Sequence, residues 1–102
     1  MMENKTGLSD LHLTYIKGVL AAFPMVRRAV LFGSRAKGTA RPNSDIDIAI
    51  YGDLKLLTAE EVSSTLDGLP TLYTFDVIDG ESIKSPALIE HIERVGIVLL
   101  DR

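Results

Sequence analysis

Two aspartates separated by one residue are the first side chains in this sequence that could do chemistry. Asp45 and Asp47 alternate with isoleucines in the segment SDIDIAI, which predicts a strand over Asp45 to Tyr51 with both carboxylates on one face. Like charges this close raise each other's pKa unless a cation lies between them. Because Mg²⁺ is often held by one or two carboxylates together with substrate phosphates, the pair is a candidate metal site. A solvated edge strand with acidic outer positions would explain the same pattern without a metal.

A glycine and a serine precede this pair, with ten residues between the serine and the first aspartate. Gly33 and Ser34 follow the apolar run from Ala29 to Phe32, so we predict a buried strand that turns into a short helix ended by Gly38. Glycine lets an anion approach the backbone, and the amides at a helix start attract phosphates. Alone, the dipeptide is also compatible with an ordinary turn. With the aspartates, it would place anion donors and metal ligands at one end of a sheet, which suits phosphoryl or nucleotidyl transfer.

A third carboxylate would complete a two-metal clamp, and one strand offers two candidates. Asp76 lies inside the apolar segment LYTFDVID, where a charge is costly unless it is paired or bound to a metal. Asp79 ends the same segment and precedes Gly80, so it is more simply explained as a turn residue. We therefore predict that Asp76 joins Asp45 and Asp47.

The elements that would position these residues follow from hydrophobic periodicity and from end signals. We predict a first helix from Leu8 to Phe23 that is capped by Ser9 or Asp10 and stopped by Pro24. Its buried stripe is predicted to consist of Leu8, Leu11, Tyr15, Val19 and Phe23.

The second half of the chain continues to alternate helices with strands. Thr58 and Glu61 form a capping-box signature for a helix that Gly68 would end. Ser85 followed by Pro86 is typical of the start of a last helix. The remaining predictions are strands over Leu72 to Ile78 and Ile97 to Leu100, and an inner stripe of Leu88, Ile92 and Val95 on the last helix.

Strands interleaved with helices predict an α/β or α+β fold, with a mixed four-stranded sheet and flanking helices. The short link from Gly38 to Asp45 would let the first two strands pair in antiparallel fashion. The second strand should present Ile46, Ile48 and Ile50 on one face and Asp45, Asp47 and Ala49 on the other.

Composition limits the class of protein. The 102 residues have room for one domain, residues 1–102, and the 46% of hydrophobic residues can form a real core. The chain has no cysteine, no leader pattern at its start and no apolar run near the ~20 residues that cross a bilayer. We therefore expect a cytoplasmic protein that does not contact the membrane. A net charge of −3 argues against broad binding of nucleic acid.

The segment GSRAKGTARPNSDIDIAI resembles the signature of the polymerase-β-like nucleotidyltransferase superfamily, which is Gly-Ser, ten residues and Asp-x-Asp. The small size resembles the minimal nucleotidyltransferase (MNT) branch of that superfamily. The similarity covers nearly the whole chain, from the leading helix through the third acidic strand to the ending LIEHIERVGIVLL.

The resemblance implies a mixed sheet flanked by helices and a role for each residue of the signature. Gly33 and Ser34 would bind the β- and γ-phosphates of ATP. Asp45 and Asp47 would ligate two Mg²⁺ ions, and Asp76 would help to bind metal and to activate the attacking hydroxyl.

Other polar residues receive lesser roles. Arg35 and Lys37 are not part of the signature, and we expect them either to neutralise charge on the nucleotide or to be solvated loop cations. His12 and His91 fall within helices without cysteine or carboxylate ligands at a suitable spacing, so we predict no metal site at either.

The resemblance also implies a partner. Prokaryotic MNT proteins of this kind are often antitoxins of HEPN-type ribonuclease toxins, and they transfer AMP from ATP to a toxin tyrosine. We therefore expect a protein adenylyltransferase that forms a hetero-oligomer with such a toxin. Two alternatives stay open: a catalytically silent antitoxin that neutralises its toxin by binding alone, and a nucleotidyltransferase with a small-molecule acceptor. An RNA acceptor is disfavoured by the acidic balance of the chain.

Overall fold

The part of the chain described by the computed structural model, residues 6–102, contains four helices, four strands and one 3₁₀ turn. The expectation about a leader at the start falls partly on residues 1–5, which lie outside the described residues. In chain order the elements are α1 (Asp10–Ala21), β1 (Val26–Phe32), α2 (Gly33–Lys37), β2 (Ile46–Gly52), α3 (Thr58–Asp67), β3 (Phe75–Asp79), the 3₁₀ turn (Gly80–Ser82), α4 (Pro86–Val95) and β4 (Ile97–Asp101). None of the helices in residues 6–102 is long and apolar enough to span a bilayer.

The four strands form one mixed sheet in the order β3-β2-β1-β4. β1 pairs with β2 and with β4 in antiparallel fashion, whereas β2 and β3 are parallel. A parallel pair requires a crossover connection, and α3 supplies it. The predicted fold class and the antiparallel pairing of the first two strands are confirmed.

The alternation of residues along β2 gives the sheet two different faces. The closed face carries Ile46, Ile48 and Ile50, which are fully buried in a core that also contains Ile16 of α1 and Leu66 of α3. The open face carries Asp47, Ala49 and Tyr51 of the same strand. On that face a smaller cluster joins four buried residues, which are Val30, Phe32, Ala49 and Ile92 of α4. Asp47 lies beside this cluster, because it is the register partner of Phe32.

The first helix differs from its prediction in length and in its buried side. It runs from Asp10 to Ala21, and Ser9 caps it by accepting a hydrogen bond from the amide of His12 at 3.1 Å. Ile16 and Leu20 are its buried residues, whereas Leu11 is 59% exposed. The predicted stripe is therefore wrong at Leu11 and Tyr15, which are exposed, whereas Leu8 is buried and Val19 and Phe23 pack against the core. The helix carries apolar residues on two overlapping sides. Packing against the sheet buries the side with Ile16 and Leu20, whereas the periodicity had indicated the side with Leu11.

The capping box predicted for α3 is also wrong. Thr58 is the first residue of the helix, and its buried hydroxyl accepts a hydrogen bond from the amide of Lys55 at 2.8 Å, in the preceding turn. The amide of Glu61 donates to the carbonyl of Leu57 at 2.9 Å and so belongs to the helix itself. The predicted end of this helix at Gly68 is confirmed.

The later elements agree with the sequence more closely. Ser85 caps α4 by accepting a hydrogen bond from the amide of Leu88, with Pro86 in the first turn, as predicted. β3 begins at Phe75, three residues after the predicted Leu72. Leu72 instead lies fully exposed in the connection before the strand.

Candidate active site

A row of side chains crosses three strands at the edge of the open face. Phe32 of β1 is the register partner of Asp47 on β2, and Asp47 is the partner of Asp76 on β3. Because residues in register on paired strands point to the same face, the two carboxylates are neighbours. Asp79, the alternative third carboxylate, instead closes the 3₁₀ turn by accepting hydrogen bonds from the amide of Glu81 and the hydroxyl of Ser82. Asp79 is therefore a turn residue, as predicted, whereas Asp76 is exposed and is the register partner of Asp47.

The third carboxylate of the site lies just before β2. The side chain of Asp45 accepts a hydrogen bond from the hydroxyl of Thr74, which precedes β3. A backbone hydrogen bond joins the same two segments, since the amide of Ile46 donates to the carbonyl of Thr74 at 2.9 Å. Asp45 is exposed and is held next to the strand that carries Asp76. All three predicted carboxylates therefore lie at the junction of β2 and β3.

Asp47 is the electrostatic centre of this group. Burial raises the pKa of its carboxyl group above the ordinary value of 3.8, and the negative charges of Asp76 and Asp45 raise this pKa further. A proton on His91 would act in the opposite direction. However, the Nε2 atom of His91 accepts a hydrogen bond from the amide of Gly33, so that nitrogen is unprotonated in this structure. Asp47 is therefore a carboxylate that a cation would stabilise.

The glycine turn lies directly against this carboxylate. Gly33 is the first residue of α2 and has a φ of +76°, in the left-handed region that favours glycine. A Cβ atom at this position would also collide with the Oδ2 atom of Asp47. Only glycine therefore brings the start of α2 this close to Asp47. Ser34 follows as the second residue of the helix, so the turn and the carboxylates form one site.

His91 is a site residue that the sequence analysis missed. It lies on α4, and its Nε2 atom accepts the hydrogen bond from the amide of Gly33 at 3.1 Å. Its ring also packs edge-to-face against Phe32, with the ring centroids 6.3 Å apart. The sequence carries no signal for this contact, because the histidine is 58 residues from the glycine. The Gly33 amide is consequently not a free donor, and the amide and hydroxyl of Ser34 become the leading candidates for binding phosphate.

Arg35 requires a correction, because its guanidinium group does not face the site. The side chain is 2% exposed, and it donates to the carbonyls of Thr6 at 2.9 Å, Ser44 at 3.0 Å and Pro42 at 3.4 Å. It also lies over the ring of Tyr73, 4.8 Å from the centroid. Arg35 thus fastens the loop between α2 and β2, which ends at Asp45. With its guanidinium group bound in this way, Arg35 is not a candidate for contact with the nucleotide, and Lys37 is exposed at the end of α2.

The donor set of the site suits a hard divalent cation. Asp45, Asp47 and Asp76 offer only carboxylate oxygens, which Mg²⁺ prefers. Within residues 6–102, no group of three or more histidine, cysteine, aspartate and glutamate side chains is arranged so that it could hold a metal ion by itself. The arrangement is therefore an open acidic surface rather than a complete ligand shell. Mg²⁺ needs no such cage, because it keeps several waters and takes further ligands from substrate phosphates.

A separate cavity of about 260 Å³ lies on the open face, at the other end of β2. Arg28, Tyr51, Glu81 and Glu93 contribute polar groups to its lining. Burial raises the pKa of Tyr51, whereas the nearby Arg28 lowers it. Asp47 does not line this cavity, and Asp45 and Asp76 are exposed.

Comparisons with known proteins agree with this geometry. Residues 14–102 match the family model described as Polymerase beta, Nucleotidyltransferase. No curated protein matches the chain. The four-stranded mixed sheet with flanking helices is the fold of that family.

Several solved structures are similar to the chain, and three of them illustrate the likeness. The toxin–antitoxin complex MntA-HepT is 25% identical with a TM-score of 0.70, and the match covers 92% of this chain and 74% of that chain. A toxin–antitoxin structure with AMP-PNP is 27% identical with a TM-score of 0.65, covering 93% and 75%. The complex of a tri-AMPylated HEPN toxin from Shewanella oneidensis with an MNT antitoxin is 23% identical with a TM-score of 0.70, covering 93% and 74%. At 23% identity the last likeness concerns the fold alone.

Proposed function

Because the chain belongs to the polymerase beta, nucleotidyltransferase family, we propose that it transfers AMP from ATP to a hydroxyl group of a HEPN-type ribonuclease toxin. A tyrosine of the toxin is the proposed acceptor, and the modification would make this chain an antitoxin. The observation that carries the proposal is the row of carboxylates beside the glycine turn, with Asp47 in register with Asp76 and in contact range of Gly33. ATP in the cytoplasm is the proposed donor.

The three carboxylates are the proposed metal ligands. Asp45, Asp47 and Asp76 would hold two Mg²⁺ ions, which, when bound, neutralise the charge of the triphosphate and polarise its phosphorus. Asp47 has the strongest electrostatic reason to bind a cation, since burial and two neighbouring charges raise its pKa. Asp45 is oriented for this role by the hydroxyl of Thr74.

The chemistry of the proposed transfer needs little beyond positioning and charge neutralisation. The acceptor oxygen attacks the α-phosphorus, and the bond from that phosphorus to the bridging oxygen of the β-phosphate breaks. Pyrophosphate leaves with the bonding electrons, and the carboxylate of Asp76 accepts the proton of the acceptor hydroxyl. Ser34 would bind the β- and γ-phosphates through its amide and hydroxyl, next to the glycine that contacts Asp47.

The exposure of Asp45 and Asp76 supports a protein acceptor, because a partner surface can reach both carboxylates directly. A small-molecule acceptor would need a pocket of its own, whereas the cavity on the open face is lined by residues at the far end of β2. A partner surface could instead cover the carboxylates and exclude water from them. Two of the similar structures are toxin–antitoxin complexes at 25% identity or more, and one of them contains the ATP analogue AMP-PNP. These likenesses favour a toxin as the partner.

The proposal is tested by incubating the chain with ATP labelled at the α-phosphate, Mg²⁺ and a HEPN-type toxin as the partner. We expect label on the partner, and we expect Asp76→Asn to reduce the rate by about a thousandfold, as the loss of a charge-stabilising group does. Asp79→Asn is the matched control, because it removes the same charge from the same strand at a turn position.

Two outcomes would contradict the proposal. If wild-type chain leaves the partner unlabelled, or if Asp76→Asn and Asp79→Asn label it equally, the site does not catalyse this transfer. The alternative is an antitoxin that acts by binding alone. It would be favoured if an Asp45→Asn/Asp47→Asn double variant protected cells as well as wild type does. Label on a metabolite instead of the protein would identify a small-molecule acceptor.

A further inference from the structure

We propose that His91 is a positioning residue that holds the glycine turn in place for the nucleotide by accepting the hydrogen bond of the Gly33 amide. This inference deepens the proposed function and rests on it, because the turn matters only if phosphates bind there. His91 does not itself need to touch the substrate. It acts through the backbone of Gly33 and thereby on the neighbouring Ser34.

The contact joins two elements that are far apart in the chain. His91 lies on α4, and its Nε2 atom is 3.1 Å from the amide nitrogen of Gly33 at the start of α2. The next residue, Ile92, is 5% exposed and packs in the cluster formed with Val30, Phe32 and Ala49. Ile92 therefore fixes where α4 lies on the sheet, and this placement brings the imidazole to the turn. The edge-to-face contact with Phe32 restricts the ring further.

The direction of the hydrogen bond specifies the chemical form of the ring. A backbone amide can only donate, so the Nε2 atom must present a lone pair. In the neutral ring the hydrogen then resides on the Nδ1 atom. A side chain without an acceptor at this position would leave the amide unpaired, while glutamine can present its carbonyl oxygen at nearly the same place as Nε2. Asparagine is too short to do so, because its oxygen corresponds to the Nδ1 position.

Movement of the glycine turn would alter the geometry of the proposed reaction. Gly33 lies so close to Asp47 that a Cβ atom would not fit between them. Any shift of the turn therefore changes the spacing between the phosphate donors and the carboxylates. A misplacement of about 1 Å can reduce a reaction rate by about a hundredfold. Binding of the Gly33 amide by His91 also leaves the next amide, that of Ser34, as the donor directed at an anion.

The test uses three variants at one position and two measurements. His91→Leu and His91→Asn remove the acceptor, and His91→Gln retains it. We expect the affinity for ATP with Mg²⁺, measured by calorimetry, to fall by about tenfold in the first two variants and to stay within about threefold of wild type in His91→Gln. Glu90→Leu is the matched control on α4, because Glu90 is exposed and pairs only with Arg94 in the contacts described. It should bind ATP as wild type does.

Hydrogen exchange tests the contact itself without any nucleotide. The Gly33 amide should exchange slowly in wild type and in His91→Gln, and faster in His91→Asn. Comparison of Asn with Gln keeps the test valid if His91→Leu folds poorly, because both are polar and differ by one methylene group. Equal exchange and equal ATP affinity in the Asn and Gln variants would overturn the proposal. If wild type binds no ATP while its Gly33 amide is protected, the proposed function fails although the hydrogen bond exists, so the two failures can be told apart.

Discussion

The two faces of the sheet use the same strand in opposite ways. On the closed face, Ile46, Ile48 and Ile50 are fully buried beneath α1 and α3, in a core without a catalytic group. On the open face, the intervening Asp47 is only half-buried and lies next to Asp76. Because successive side chains of a strand point to opposite sides, β2 can anchor the core and present carboxylates at once. The rigid core on one side thereby holds the acidic site on the other.

Two charged residues of this half of the molecule, Arg35 and Asp47, also contrast. Arg35 is almost completely buried, and its charge is satisfied by carbonyl groups of Thr6, Pro42 and Ser44. Asp47 is surrounded by charges of its own sign, and its pKa is raised. A buried charge with hydrogen-bond partners stabilises a fold, whereas a charge beside like charges is left to be stabilised by a ligand. This difference separates a structural residue from a candidate binding residue.

The largest effect is expected from truncation on the closed face. Ile48→Ala removes a fully buried side chain and should lower the free energy of unfolding by about 4 kcal/mol, because a cavity is left in a packed core. Ile78→Ala makes the same change on the half-buried open face and should lower it by only about 1 kcal/mol. Urea denaturation measures both values. If both variants lost the same free energy of unfolding, the two faces of the sheet would not differ in how tightly they are packed.

A smaller loss is expected from Arg35→Met. This change leaves three backbone carbonyls without their donor, so the free energy of unfolding should fall by about 2 kcal/mol. Lys37→Met, in the same short helix but exposed, should change it by less than about 0.5 kcal/mol. The structural role of Arg35 would be refuted if Arg35→Met unfolded like wild type and weakened ATP binding instead.

The smallest effect is expected from Asp47→Asn, and it has the opposite sign. A carboxyl group whose pKa is raised on folding contributes stability at low pH, and this stability is lost as the pH rises from 3.8 through the raised value. Without divalent ions at pH 7, removal of this charge should therefore raise Tm by about 2 °C, a small value because the side chain is only half-buried. The gain should vanish below pH 3.8.

Thermal scans with and without Mg²⁺ sharpen this last comparison. A bound ion stabilises the folded state, so Mg²⁺ should raise Tm of wild type more than that of Asp47→Asn. Asp53→Asn, in the connection after β2, is the control for a general change in net charge. If Asp47→Asn instead had a lower Tm than wild type at pH 7 without divalent ions, repulsion between the carboxylates would not destabilise the fold.

The spacing of residues along the chain predicted those features of the fold that depend on contacts between near neighbours in sequence. The alternation in SDIDIAI assigned Ile48 and Asp47 to opposite faces, and the structure agrees. The capping residue Ser85 and the terminal glycine Gly68 were also predicted, because their hydrogen bonds join residues only a few positions apart. The buried side of α1 was predicted wrongly, with Leu11 exposed, because two apolar stripes were available and only packing against the sheet could choose between them.

The residue types and spacing of Gly33, Asp45 and Asp47 were sufficient to indicate an acidic site beside a glycine turn, since each follows from the geometry of one turn and one strand. The roles of Arg35 and His91 were decided by tertiary structure. Arg35 binds carbonyls of a folded loop and of the amino-terminal segment, and His91 reaches Gly33 across 58 residues. Hydrogen bonds between distant segments depend on how helices pack on the sheet, and no local pattern in the chain encodes that placement.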